Sequence, residues 1–106
     1  MAQDLKPHIP FLLYVAKARP SIRKLILHKS TPEELDALLS VVLNTVHDHF
    51  TLSGHTKKKL QKYGPFLQAL LNKDLGREKK RELLVEFHRP IQILLKGLYQ
   101  QLLSYG

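Results

Sequence analysis

Apolar residues recur at spacings of three and four along the whole chain, and no segment alternates strictly, so the pattern predicts helices and no strands. Pro10 opens a first helix running to about Ala18. Pro20, at a first-turn position, opens a short second one presenting Ile22, Leu25 and Ile26, and the two form a helical hairpin. Thr31-Pro32-Glu33-Glu34 is the clearest start signal: the threonine hydroxyl caps the first turn, proline sits at N1, and Glu34 at N3 bonds back. From it a helix is expected to about Asp48, with Leu35, Leu38, Leu39, Val42 and Val46 as its buried stripe. After a loop around Phe50 and Thr51, Ser53 caps a helix through Lys57, Leu60 and Tyr63, and Gly64-Pro65 kinks or breaks it before Phe66 to Asn72. Asp74-Leu75-Gly76 is a turn before a helix from Arg77 to Phe87. Pro90 marks a bend before the last helix, Ile91 to Ser104, whose Ile91, Leu94, Leu95, Leu98 and Leu102 share one face that closes the core. The expected fold is all-α, a compact bundle of five to seven short helices punctuated by proline, in one domain over 1–106 with residues 1–8 frayed.

At 106 residues with 43% hydrophobic content, the chain has enough leucine, isoleucine and valine for one modest core, which excludes general disorder. The absence of cysteine removes disulfides, thiolate metal sites and a cysteine nucleophile, and suits cytosol, nucleus or virion interior alike. The apolar run Ile9 to Ala16 is too short for a signal peptide and lacks a small-residue cleavage site. No stretch reaches the roughly 18 apolar residues of a membrane span, and Ala2 stands where myristoylation needs glycine. The expectation is a protein neither secreted nor membrane-spanning.

Charge changes the picture more than composition does. Between His55 and Arg81 stand nine of the 17 basic residues, Lys57, Lys58, Lys59, Lys62, Lys73, Arg77, Lys79, Lys80 and Arg81, against two acids, Asp74 and Glu78, leaving +7 of the net +8. Residues 1 to 50 hold six bases and five acids, a net +1. Such a layout suits a polyanion, and the nine residues are the expected nucleic-acid contacts, with Arg23, Lys24 and Lys29 as an extension. The bases at 77 to 81 open a helix, where positive charge opposes the helix dipole unless an anion lies nearby; the bland alternative pairs them with Glu78 and Glu82. With few arginines and no zinc finger, heptad zipper or aromatic RNA-binding motif, nonspecific binding of duplex DNA is expected over sequence reading.

Other chemistry is sparse. His47-Asp48-His49, near His55, has metal-ligand residue types, but side chains two apart on a helix point about 200° from each other, so an ordinary helix terminus is expected and no metal or cofactor. No nucleophile elbow, phosphate-cradling glycine loop or paired carboxylates occur, so no enzyme is expected. Leu94, Leu95, Leu98, Leu102 and Leu103 exceed one narrow stripe. They leave two alternatives open: a C-terminal amphipathic helix acting on anionic membrane, and a face for a protein partner or a second copy of the chain.

The order Ala18-Arg19-Pro20, Ile22-Arg23-Lys24, Val42-Leu43-Asn44-Thr45-Val46, Leu52, Lys57-Lys58-Lys59-Leu60, Lys62-Tyr63 and Lys79-Lys80-Arg81 before Leu83-Leu84-Val85 resembles a short basic protein of Maverick or Polinton elements, the virus-like DNA transposons of animals, and of the related adintoviruses. The likeness covers roughly Leu13 to Val85; Glu86-Phe87-His88-Arg89-Pro90 intervenes where the family runs into glycines and a hydrophobic tail. The resemblance implies an element encoding capsid proteins, a protease, a polymerase and an integrase. It thereby implies a virion-associated protein, with capsid proteins as further partners and the virion or the host nucleus or cytoplasm as its place; helping to condense a genome there is the role that the charge layout suggests. No catalytic residue transfers with it.

Overall fold

Four of the five expected breaking prolines sit at the first or second position of a helix, where the missing N–H would have had no intrahelical partner. The computed structural model describes residues 5–105, and among these no strand occurs. The helices are α1 (Ile9–Lys17), α2 (Pro20–His28), α3 (Pro32–Val46), α4 (Gly54–Leu60), α5 (Gly64–Leu70), α6 (Arg77–Glu86), α7 (His88–Gly97) and α8 (Tyr99–Leu103), with single 3-10 turns at Lys6–His8 and Gln61–Tyr63. Of the residues 1–8 expected to fray, 1–4 lie outside the described residues, whereas Leu5 is fully buried and Lys6–His8 form a turn.

The polar signals act as read. Thr31 Oγ1 accepts from the Glu34 N–H at 3.1 Å while the Thr31 N–H donates to Glu34 Oε1 at 2.9 Å, closing the capping box of α3. Ser53 Oγ accepts from the Thr56 N–H at 3.1 Å and starts α4. At the other end of α3 the Asp48 N–H donates to Thr45 O at 3.1 Å and the His49 N–H to Asn44 O at 2.8 Å, a Schellman closure that carries Asp48 to φ 60°. This is the left-handed region that favours glycine, so Asp48→Gly is expected to stabilise the fold by about 0.5–1 kcal/mol, read as a rise in urea midpoint at unchanged slope.

α7 is the centre of the bundle. Its Ile91, Leu94 and Leu95, with Leu98 just beyond, are buried, and it packs on α1, α4, α2 and α6, while α8 adds Leu102 against α1. The Cα atoms have a radius of gyration of 12.5 Å within extents of 32 × 30 × 29 Å. Side chains tie the connections down: Gln101 Oε1 accepts from the Thr51 N–H at 2.9 Å and its Nε2 donates to Thr51 O at 2.6 Å, fixing the loop between α3 and α4 onto α8.

Three details differ from the pattern reading. The inward residues of α2 are Arg23 and Leu27, one turn apart, whereas Ile22 and Leu25 are exposed. Arg23 is drawn in because its guanidinium finds acceptors inside, as described below. On α3 the expected Leu35, Leu38 and Val42 are buried and Leu39 packs in part against the core, while Ala37 and Val41 widen the stripe and Val46 is 44% exposed. The last helix begins at His88 rather than Ile91, after a break at Phe87 (φ −108°, ψ 48°), and is interrupted at Leu98, which follows the weak helix former Gly97. Pro90 therefore lies in a first turn, not at a bend.

Candidate nucleic-acid interface

The lysines of α4 are set by its N-cap and by its single buried residue. Ser53 fixes the start, Leu60 points into the core, and Lys57, Lys58 and Lys59 are left on the outer surface. α4 lies tightly on α7. A Cβ placed on Gly97 would stand 2.7 Å from Thr56 Cγ2 and 3.3 Å from Leu52 Cδ2, so only glycine permits this approach. Gly97→Ala is expected to cost about 1–3 kcal/mol through overpacking, and Thr56→Ser, which removes the crowded methyl, is expected to restore much of it in thermal melts.

Beside that contact the two helices leave a groove of about 1110 Å³. Lys58, Lys59 and Lys62 come from one wall, Arg89 and Lys96 from the other, and Tyr63, Gln92 and Ile93 line it as well. No carboxylate lines the groove, so five cations face one another across a concave surface where their fields add. Lys62 Nζ lies 5.3 Å from the centroid of the Tyr63 ring. Lys57 turns away, to a small apolar hollow of about 190 Å³ that it shares with Val42, Val46, Leu52 and Leu67.

The second basic cluster is placed differently. Arg77 pairs with Asp36 of α3 at 3.1 Å, Lys79 with Glu82 at 3.4 Å, and Arg81 with Glu78 at 3.4 Å. The anion expected near the start of α6 is thus internal, and pairing with Glu78 and Glu82 holds for this cluster. Arg81 turns largely inward. Its side chain is only 12% exposed, and its Nη1 donates to Ser30 O at 2.5 Å and Ser30 Oγ at 2.7 Å, capping the end of α2. Arg81→Ala is expected to lower stability by about 2 kcal/mol, the scale of charge-assisted bonds to buried acceptors, without changing polyanion affinity in a paired titration. Lys80 is half-buried, and Lys73 is exposed between α5 and α6. No residue of α6 lines the groove, so the two clusters do not meet there as one surface.

The expected extension is likewise divided. Lys24 and Lys29 are exposed, but Arg23 is 2% exposed, donating from Nε to His88 Nδ1 at 3.0 Å and from Nη1 to Ala18 O at 2.7 Å. Burial first, then the charges of Arg23, Lys24 and Arg89, hold His88 below the ordinary imidazole value of 6.5. Burial and the Arg89 charge also lower Arg23. Arg89 and Lys96 were not among the residues expected to bind. They are seven apart on one helix, two turns along the same face, but only the docking of α4 on α7 reveals that they oppose the lysines.

The leucine face expected for a membrane or a partner is, save one residue, the core itself. Leu94, Leu95, Leu98 and Leu102 are buried and only Leu103 is exposed, because a bundle of short helices needs this face to complete its interior. His47 and His49 are both exposed with ring centroids 6.5 Å apart. Among the described residues no helix is long and apolar enough to cross a membrane. Compared with protein-family models, curated proteins and solved structures, the chain matches none.

Proposed function

We infer that this protein is a non-enzymatic nucleic-acid-binding module whose contacts are nonspecific and made through phosphates. The observation that carries the reading is the groove between α4 and α7, with five cations on two walls and no acid among them. Lysine dominates, which favours phosphate neutralisation over the bidentate base contacts that arginine makes. The resemblance to the short basic protein of Maverick and Polinton elements supplies a setting, a virion in which such a protein condenses the genome beside capsid proteins.

The test is a titration of labelled duplex and single-stranded oligonucleotide at several salt concentrations. Five phosphate contacts predict a slope of log affinity against log salt of about −4.5 on duplex and about −3.5 on a single strand, a loss of at least about a hundredfold between about 50 and 200 mM. A slope near zero, or affinity for protein partners that survives about 0.5 M salt with no nucleic-acid binding, rejects the reading in favour of an adaptor.

A further inference from the structure

Resting on the reading just given, we propose that the groove takes a single strand in preference to a duplex, and that Tyr63 is the platform on which a base stacks. A surface made only for phosphate rows needs charge and no more. This groove has cations from both walls and, in the same lining, an aromatic ring and Ile93. In a duplex the base faces are stacked on one another, so a bound duplex meets the cations and leaves the apolar lining without a partner. A single strand fills both parts: its phosphates lie along Lys58, Lys59 and Lys62 on one side or Arg89 and Lys96 on the other, and its unstacked bases turn inward.

Tyr63 is suited to that task by position. It sits in the turn Gln61–Tyr63 between α4 and α5, packs in part against the core, and still lines the groove. Lys62 Nζ stands 5.3 Å from the ring centroid, and a base takes that place on the ring as this long side chain swings to a strand phosphate, an exchange that tolerates any base. The ligand class is therefore single-stranded nucleic acid without sequence preference.

The experiment compares fluorescence anisotropy of oligo-thymidylate and of a duplex with equal phosphate number, at one salt concentration. The chain is expected to bind the single strand about tenfold more tightly, and Tyr63→Ala to lose about tenfold on it with less than about a twofold change on duplex, the scale of one stacked base. Tyr63→Phe is expected to keep the preference. Tyr63→Leu, which retains the apolar volume against the core, is expected to lose it while melting near the parent temperature. Equal or tighter duplex binding, or an equal loss on both ligands in Tyr63→Leu, overturns the proposal while leaving nonspecific binding intact. Failure of both ligands to bind removes the underlying reading instead.

Discussion

Replacing Lys58, Lys59 and Lys62 together with glutamate is expected to lower affinity for an oligonucleotide by at least a hundredfold at about 100 mM salt and to flatten the salt slope to about −2. The estimate follows from counting: with three of five cations gone, Arg89 and Lys96 alone release counterions, and the three new carboxylates repel the strand from the same wall. All three lysines are exposed, so the fold should survive, which circular dichroism checks. A matched change of Arg77, Lys79 and Lys80 is expected to weaken binding far less, since the first two already face carboxylates and none lines the groove. Equal losses from the two sets would move the site away from the groove.

The second large effect concerns Arg23. Arg23→Ala is expected to destabilise the fold by about 3 kcal/mol, combining lost charge-assisted bonds with the space vacated by a long side chain. The same site makes stability depend on pH. His88 Nδ1 accepts from Arg23 Nε and must therefore be unprotonated, and with Arg23, Lys24 and Arg89 around it no carboxylate offsets a further proton. The folded state binds that proton less readily than the unfolded chain does. The His88 contribution is thus complete above pH 6.5, the ordinary value, and is lost as pH falls below it. Melting temperature should fall from pH 7.5 toward pH 5, and His88→Asn, whose side-chain oxygen can accept from Arg23 without titrating, should reduce that fall. An unchanged pH slope in His88→Asn would remove His88 from the account.

Much of the fold was legible because its start signals are local. The capping box at Thr31, the Ser53 cap and the prolines at 10, 20, 32 and 65 each act within one turn of their own position. Faces were less legible where a polar residue finds partners inside. Arg23 displaces Ile22 and Leu25 from the interior of α2 because Ala18 O and His88 accept from it, and nothing within that helix announces residues 65 positions away. The site shows the same limit. Basic runs at 57–59 and 77–81 look equivalent in a charge profile, yet Lys58 and Lys59 of the first stand over a groove while the second is braced against Asp36, Glu78, Glu82 and Ser30. Which of two like runs is available for a ligand is decided by the elements that dock beside it.

The wall that carries Lys58 and Lys59 has α7 as its main support, and α7 lies well downstream of it. During synthesis the lysines therefore leave the ribosome before the surface that organises them exists. Under the proposed function, the hold on a polyanion forms only once α7 has folded back against α4.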